Sequence, residues 1–349
     1  MRRRVLDFIV CPRCKSDLSA KEFVYEDGHI MEGLLTCSGC RREFPVIEGI
    51  PRLLPAALLD KVYTIHSDFF KKYGLPVCTA GQNEEEHLAL KKKTFESFSF
   101  QWNTFGTIYN EYRLHWFDYL PNSMPSTFFK GKKGLDAGCG FGRHLRMAAE
   151  AGAEMVGMDL SEAVRASFSN TQQLEKAHII QGDIYNPPFR EGTFDFIYSI
   201  GVLHHLPDPQ QGFASIAGLL GPLQEIFIWC YDNEKSAKNE VYEVVRKFTT
   251  RFGYRALYVL TFAMAAGIMI FLNLPARLAK ALGYKKNLPY EYYLKYPFRA
   301  LHADLFDVFS VPSTRYYNKK ELEDWFLGKN IELKESKHSV SGWTLYGCR

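Results

Sequence analysis

Gly134-Leu-Asp-Ala-Gly-Cys-Gly-Phe-Gly-Arg-His144 is the stretch of sequence from which the fold is inferred. It predicts an apolar strand that ends at Asp136, then a turn through three alternating glycines, and then a helix. Glycines in such a turn let backbone N–H groups approach a ligand closely, because no Cβ stands in the way. The dinucleotide fingerprint needs a glycine three residues after Gly140, where Arg143 stands instead. The loop therefore predicts a nucleoside site that holds no pyrophosphate.

Four further strands alternate with helices after this loop. They are predicted over residues 153–159, 178–184, 194–200 and 223–229. This alternation indicates a parallel sheet whose ligand binds at the carboxyl edge. Asp159 ends the second strand, 19 residues beyond Gly140, where a carboxylate can accept both ribose hydroxyls. Asp183 ends the third strand and could accept from an adenine amino group.

Together these residues resemble the class I S-adenosylmethionine-dependent methyltransferases. The matching stretches are 136–142, Asp159, 182–184, 191–195 and 202–206. The resemblance is dense over residues 131–232 and returns at 316–349, where a last helix and two closing strands are expected. It implies an α/β fold with a doubly wound, seven-stranded, mainly parallel sheet, and S-adenosylmethionine as the cofactor.

The same resemblance implies which residues hold the cofactor. Asp136 and the loop glycines would take the methionine end, Asp159 the ribose, and Asp183 the adenine. The full implied set is Asp136, Gly138, Cys139, Gly140, Gly142, Asp159, Leu160, Asp183, Ile184, Ser199, Gln101 and Trp102. Each acid could instead cap a helix, and Asp183 is most open to that alternative because a Pro-rich loop follows it. Gln101 and Trp102 belong to an aromatic run that resembles a cofactor cover, although a buried aromatic staple is the other interpretation.

His204 and His205 follow the fourth strand and are the candidate catalytic residues on the acceptor side. Methyl transfer depends largely on positioning, but a hydroxyl or acidic carbon acceptor must also lose a proton, and histidine suits that task. A role in closing the loop or positioning the acceptor is the alternative. The Asn186-Pro-Pro-Phe189 sequence precedes the fourth strand, so it does not argue for a base-modifying enzyme.

Cys11, Cys14, Cys37 and Cys40 form a C-x2-C-x22-C-x2-C pattern that predicts a separate metal-binding domain over residues 1–55. Two such pairs make a tetrahedral thiolate site, and four cysteines leave no open position for catalysis. Disulfides fit poorly, because the other cysteines show no framework. The segment resembles the zinc ribbon of the tRNA-methyltransferase activator type, which implies a structural zinc that supplies folding energy.

A connector over residues 56–130 is expected to be helical and to cover the cofactor. It contains Lys91-Lys-Lys93, which we interpret as a solvated helix face.

The insertion over residues 233–312 contains 256–274, which are 19 residues without a charge. That length meets the threshold for a transmembrane helix. A single span would, however, separate strands of one sheet, since the closing strands are expected at 313–349. The segment therefore predicts a lid over a hydrophobic acceptor or an interfacial helix at a membrane surface. The flanking residues that suit the second interpretation are Arg246, Lys247, Arg251, Arg255, Arg277, Tyr290, Tyr292, Tyr293, Tyr296 and Phe298.

Composition agrees with a cytoplasmic enzyme. The chain has 349 residues and a net charge of +4, which is too small to favour nucleic acid, and the apolar stretch after Met1 is too short for an export signal. The favoured function is methylation of a small or lipid-linked acceptor at oxygen or carbon. A tRNA or rRNA methyltransferase that holds RNA with its zinc ribbon, and a non-catalytic cofactor-binding module, are the alternatives. The sequence identifies neither the methyl acceptor nor the oligomeric state.

Overall fold

The computed structural model describes residues 1–76, 87–107, 116–233, 245–246, 248–249, 251–284, 294, 297–339 and 341–349. These residues form two compact units. The first contains the described residues up to 233 and those from 313 onward, and the second contains the described residues between 234 and 312. Cys78, Lys247 and the tyrosines at 290, 292, 293 and 296 lie outside the described residues.

The first unit is built on one mixed sheet. Its methyltransferase-like part contains β5 (Lys133–Ala137), β6 (Glu154–Asp159), β7 (Ala177–Gly182), β8 (Phe196–Ile200), β9 (Glu225–Tyr231), β10 (Glu332–Ser339) and β11 (Gly342–Cys348). The order is β7-β6-β5-β8-β9-β11-β10, in which the first five strands are parallel and β11 runs antiparallel to both neighbours. The carboxyl ends of β5, β6 and β7 therefore meet at one edge.

Helices connect these strands and cover the sheet. They are α4 (Arg143–Glu150), α5 (Ala163–Thr171), α6 (Pro209–Ala217) and α10 (Lys319–Leu327). Local sequence sets where two of them begin. The Asp208 side chain accepts from Gln211 N–H at the start of α6, and Asn318 and Glu321 form a capping box at the start of α10.

The cysteine-rich segment continues this sheet through its fourth strand. Its strands are β1 (Leu18–Glu26), β2 (His29–Cys37), β3 (Glu43–Ile47) and β4 (Ile50–Leu53). The first three connections are antiparallel, but β4 pairs in parallel with β7, with Arg52 opposite Gln181. The complete sheet has eleven strands where the resemblance implied seven. Phe44 and Leu53 belong to the same buried cluster as Ile180 and Phe194, so the two parts share a core.

Between the ribbon and β5 the described residues include the helices α1 (Ala56–Ile65), α2 (Ser67–Tyr73) and α3 (Leu88–Phe105), and a short helical stretch at residues 116–119. Leu58 and Val62 of α1 pack with Phe69 and Phe95 in one buried cluster. One expectation for α3 is wrong: Lys91 is not on a solvated face, because its side chain is only 8% exposed and pairs with Asp183. Its neighbour Lys92 is 31% exposed and does lie near the surface.

The second unit is helical where it is described. It contains α7 (Tyr254–Ile268), a π-helical turn (Met269–Asn273), α8 (Leu274–Ala281) and α9 (Phe298–Ser310). The first three are continuous, since the residues at both junctions keep helical backbone angles. His302 of α9 lies 3.1 Å from both the Tyr258 carbonyl and the Thr261 hydroxyl of α7, so the two helices pack against one another.

Candidate cofactor and acceptor site

Asp136 lies at the carboxyl end of β5 and is almost fully buried. The Tyr198 hydroxyl of the neighbouring strand β8 donates to Asp136 Oδ2 at 3.1 Å. Burial raises the pKa of Asp136 to about 8, and the negative charge of Asp159 contributes to the rise while the Tyr198 bond opposes it. A nearby cation would favour the ionised form of this buried carboxyl group and so lower its pKa.

The turn after Asp136 depends on its glycines. Gly138, Gly140 and Gly142 all have positive φ angles, which side chains other than glycine rarely adopt. A Cβ on Gly138 would lie 2.5 Å from the Val202 side chain, so the turn also packs tightly against the loop after β8. The sequence requirement for small residues here thus has a steric cause as well as a conformational one.

Asp159 ends β6 and faces this turn. The Gly140 N–H donates to Asp159 Oδ2 at 3.0 Å, while the Ser161 N–H and hydroxyl donate to Oδ1 at 2.8 and 2.7 Å. Burial raises the pKa of Asp159, and these three hydrogen bonds oppose the rise. The side chain is thus oriented from two sides, at the place where the sequence predicts a ribose acceptor.

Asp183 follows β7 and has both carboxylate oxygens engaged. Tyr185 N–H donates to Oδ1 at 3.0 Å, and Lys91 Nζ donates to Oδ2 at 2.9 Å. Lys91 Nζ also lies 4.5 Å from the centre of the Tyr185 ring, within cation–π range. Asp183 does not cap a helix, because residues 183–195 contain only turns and coil, and it accepts from the Tyr185 N–H within its own loop.

Helix α3 brings its aromatic face to the same edge. Trp102 packs on Phe141 with ring centroids 4.7 Å apart, and its indole Nε1 lies 3.5 Å from the place a Cβ on Gly140 would occupy. Gln101 is fully buried. Phe98, one turn earlier, lies 5.7 Å from the His205 ring. The helix therefore brings Trp102 to the glycine turn and Phe98 to the histidine loop.

Four other predicted cofactor residues make contacts that mainly hold the fold together. Ser199 donates its hydroxyl to the Ala137 carbonyl at 2.8 Å and so ties β8 to β5. Cys139 is buried, and burial raises the pKa of its thiol well above the usual value, which disfavours a nucleophile. Ile184 is buried in the main core, and Leu160 packs on the cluster formed by α1, α2 and α3.

The two histidines after β8 have different surroundings. His205 Nδ1 lies 3.1 Å from the Ser313 carbonyl and 3.2 Å from the Thr314 hydroxyl. The His204 ring stacks on Tyr231 at 4.0 Å and meets the His205 ring at 4.2 Å. Both side chains are buried, and the Ser313 carbonyl beside His205 Nδ1 favours a proton on that ring nitrogen.

A second layer of buried polar groups supports the loop after β6. Arg52 of β4 is fully buried and donates to Glu162 Oε1 and Gln181 Oε1, each at 3.0 Å. His66 Nε2 lies 3.1 Å from Glu162 Oε2. Ser99 of α3 accepts from the Glu162 N–H at 2.9 Å. The ribbon, the junction between α1 and α2, and helix α3 therefore all hold the segment that contains Asp159.

The four ribbon cysteines form a cluster whose sulfur atoms all lie within 4.8 Å of one another. Cys11 and Cys40 are 3.7 Å apart, and Cys14 and Cys37 are 3.4 Å apart. Tetrahedral zinc with Zn–S bonds of about 2.3 Å needs sulfurs roughly 3.8 Å apart, so the cluster fits this ion. Hydrogen bonds from the side chain and main chain of Ser16 lower the pKa of the Cys14 thiol to about 6, which favours the thiolate that binds metal. The donor set agrees with a structural zinc.

Sequence reasoning missed Lys91, Tyr198, Arg52 and Glu162 as parts of this site. Arg52 lies in a short, otherwise apolar strand, and nothing in the neighbouring sequence indicates that it is buried opposite Gln181. Tyr198 could have been found from the sequence. It lies in the strand predicted to pair with the strand of Asp136, and neighbouring parallel strands bring side chains at matching positions together.

Comparison with known proteins gives two domain matches. Residues 135–228 match the family described as "Methyltransferase domain", and residues 2–49 match "Trm112p-like protein". Both resemblances inferred from the motifs are thereby confirmed. The chain carries a methyltransferase domain and, before it, a Trm112p-like domain.

Individual relatives match over shorter parts. A chloroplastic tocopherol O-methyltransferase of Arabidopsis thaliana is 35% identical over 111 residues, covering 30% of this chain and 32% of the relative. A tRNA U34 carboxymethyltransferase of Idiomarina loihiensis is 35% identical over 99 residues, covering 26% and 30%. A solved S-adenosylmethionine-dependent methyltransferase from Aquifex aeolicus has a TM-score of 0.37 and 12% identity, covering 62% of this chain and 82% of that one. The chain spans about a third of the length of these curated relatives.

Proposed function

We propose that this chain, a methyltransferase domain preceded by a Trm112p-like domain, transfers a methyl group from S-adenosylmethionine to oxygen or carbon of a small or lipid-linked acceptor. The observation that carries the proposal is the meeting of Asp136, Asp159 and Asp183 at the carboxyl ends of three neighbouring parallel strands. Hydrogen-bond acceptors in this arrangement match a ligand with amino and hydroxyl donors and a cationic centre.

Each part of the cofactor would bind to a different set of residues. Asp136 and the glycine turn would hold the methionine end, Asp159 with Leu160 the ribose, and Asp183 with Ile184 the adenine. S-adenosylmethionine supplies a methyl carbon attached to a positively charged sulfur. The remaining proposed contacts come from Gly138, Cys139, Gly140, Gly142, Ser199, Gln101 and Trp102.

His205 is the proposed general base. A carbonyl oxygen only accepts hydrogen bonds, so the Ser313 carbonyl favours the neutral tautomer with the proton on Nδ1. That tautomer leaves the lone pair on Nε2, which can take a proton from an acceptor hydroxyl or acidic carbon. His204, which stacks on Tyr231 and meets the His205 ring edge-on, would position the base. The insertion over 233–312 would supply the acceptor side.

The similarity to a tocopherol O-methyltransferase supports a hydroxyl-bearing, lipid-like acceptor. The second candidate is an RNA methyltransferase, favoured by the similarity to a tRNA U34 carboxymethyltransferase and by the Trm112p-like domain. The modest net charge of +4 counts against RNA, because phosphate binding draws on clustered Lys and Arg. A non-catalytic cofactor-binding protein is the third candidate. We propose a cytoplasmic location for each.

The first experiment is calorimetric binding of S-adenosylmethionine to the wild type, to Asp159→Ala and to the control Asp324→Ala. Asp324 lies on the exposed side of α10 and is not among the proposed cofactor residues. The proposal requires binding that Asp159→Ala loses and the control keeps. A folded wild type that does not bind the cofactor would refute it.

The acceptor class is tested with methyl-labelled cofactor and two substrate pools, a lipid extract and total tRNA. Label in an organic-soluble product supports the favoured acceptor. Label only in RNA selects the second candidate, and cofactor binding with label in neither pool selects the non-catalytic one.

A further inference from the structure

The continuous helix Tyr254–Ala281 is long and apolar. Its 28 residues contain an 18-residue window of mean hydropathy 2.1, of which only 22% is buried. By length and composition it is the one helix in the described part of the chain that could cross a membrane. A core helix of a soluble protein with this hydropathy would be mostly covered, and this one is mostly uncovered.

One side of the helix is already covered within its own unit. Leu257, Thr261 and Ala265 are buried at spacings of four residues, which places them on one face. Thr261 and Tyr258 contact His302 of α9, and Phe262 packs edge-on to Phe298 at 5.0 Å. The face toward α9 is thus a normal helix interface.

The rest of the helix exposes large apolar side chains. The most exposed are Val259 at 66%, Ile270 at 56%, Phe271 at 76%, Leu274 at 54% and Leu278 at 58%. Soluble monomers seldom expose so many large apolar groups on one element, and contiguous patches of this kind mark an interaction surface. We call these five residues the apolar patch.

The charged residues in this stretch of the sequence are all of one sign. Residues 244–290 include eight basic residues and no Asp or Glu. The eight are Arg246, Lys247, Arg251, Arg255, Arg277, Lys280, Lys285 and Lys286. Those within the helix, Arg255, Arg277 and Lys280, stand near its two ends and leave the middle uncharged. An apolar centre with cationic ends is complementary to a bilayer with anionic headgroups.

The chain cannot use this helix as a single span. Residues 225–231 and 342–348 pair in one sheet, and Asn233 N–H donates to the Tyr317 carbonyl at 3.2 Å. Both ends of the insertion therefore leave the sheet side by side. One crossing would place them on opposite sides of the bilayer, and the sequence offers no second uncharged run of this length to return the chain.

We propose that residues 254–281 form an interfacial helix that lies in the headgroup region of an anionic membrane, with the apolar patch in the acyl boundary and the arginines on the phosphates. A second copy of the chain is a less suitable occupant, because two such patches would bring the same cationic ends together. The inference does not depend on methyl transfer. It rests only on the exposure and charge of this helix.

The test is co-sedimentation of the full-length, zinc-loaded protein with vesicles of phosphatidylglycerol and phosphatidylcholine, compared with phosphatidylcholine alone. Wild type should bind the anionic vesicles, and raising the salt should weaken binding. Ile270→Ser/Phe271→Ser and Arg251→Glu/Arg255→Glu should each weaken the vesicle partition coefficient at least about tenfold. These positions are exposed, so the variants should fold.

The matched controls are Leu327→Ser, 75% exposed, and Lys320→Glu, also exposed, both on α10 of the first unit. They should bind like the wild type. The proposal is overturned if wild type does not sediment with anionic vesicles, or if both controls lower binding as much as the patch variants. Resistance of the bound protein to alkaline carbonate would replace it with a spanning helix. Analytical ultracentrifugation without lipid completes the test, since a dimer that Ile270→Ser/Phe271→Ser dissociates would assign the patch to a second copy.

Discussion

Lys91 Nζ and Asp183 Oδ2 lie 2.9 Å apart, joining residues 92 positions apart in the chain, and both side chains are more than nine-tenths buried. A buried ion pair gains stability only when both partners are present, since removal of one leaves an uncompensated charge. The pair thus fixes helix α3 to the end of β7, at the proposed adenine site.

Lys91→Met should destabilise the protein by about 3–5 kcal/mol. The double variant Lys91→Met/Asp183→Asn should recover much of that loss, because no isolated charge remains. Lys92→Met is the matched control: its pair with Asp60 is largely solvated, and such pairs contribute about 0–1 kcal/mol. Urea unfolding of wild type, Lys91→Met, Asp183→Asn and the double variant gives the coupling energy, and additive effects of the two single substitutions would contradict this account.

Asp136 should make stability depend on pH. Its folded-state pKa of about 8 lies above the ordinary value of 3.8, so between these values the folded state holds a proton that the unfolded state has lost. Its contribution is complete below pH 4 and is lost as the pH rises through 8. The difference in unfolding free energy between wild type and Asp136→Asn should therefore shift against the wild type from pH 5 to pH 8.5.

The same carboxyl group should link cofactor binding to proton release. A cation bound beside Asp136 favours its ionised form, so binding near pH 7 should expel a proton. Calorimetry in buffers of different ionisation enthalpy measures this release. Asp136→Asn should abolish it, and an unchanged release in that variant would exclude Asp136 as its source.

Arg52 should be as important to stability as a core residue. Burial alone would raise the pKa of Glu162, but the charge of Arg52 and the His66 bond lower it to about 2. This stabilisation is present above pH 4.5 and is lost as the pH falls through 2.

Arg52→Met should lower the free energy of unfolding by about 3–5 kcal/mol at pH 7. Arg3→Met, which breaks the exposed pair with Glu22, should cost under about 1 kcal/mol. Equal losses would contradict the importance of burial.

Removal of zinc should unfold more than the ribbon. Because Phe44 and Leu53 share a core with Ile180, loss of the ribbon would expose the edge strand β7 and its apolar neighbours. Chelation or Cys37→Ser should lower the melting temperature of the whole first unit, and Cys348→Ser should not. Two separate thermal transitions, with the methyltransferase part unmoved, would show that the two parts fold independently.

His205→Asn tests the general base once an acceptor is known. The asparagine amide can still donate to the Ser313 carbonyl, so the loop should keep its anchor. We expect kcat to fall about 10²- to 10⁴-fold and the acidic limb of its pH profile to disappear. Thr314→Val, which removes only the second neighbour of Nδ1, should leave kcat within a few-fold.

The sequence predicted a mainly parallel sheet with acids at its carboxyl edge, because both follow from local patterns. Alternating strands and helices imply a parallel sheet, and Asp136 and Asp159 end their strands. The prediction for Lys91 was wrong. In the sequence this residue belongs to a run of three lysines that suggests a solvated helix face, and nothing nearby indicates an ion-pair partner 92 residues away. The sequence also did not indicate that the ribbon continues the same sheet, because the parallel pairing of Arg52 with Gln181 joins segments that share no local signal. The roles assigned to the site residues stay predictions.

The antiparallel register of β9 with β11 has a consequence for how the chain folds. Trp229 stands opposite Thr344, so this contact closes a loop that includes the whole insertion. Contacts over such separations form late, because the entropy of closing the loop must be overcome first. Until then β9 is an open sheet edge, and open edges invite pairing with other chains. During biosynthesis, the period between synthesis of residue 231 and arrival of residue 342 is therefore when we expect this protein to be most prone to aggregate and most dependent on chaperones.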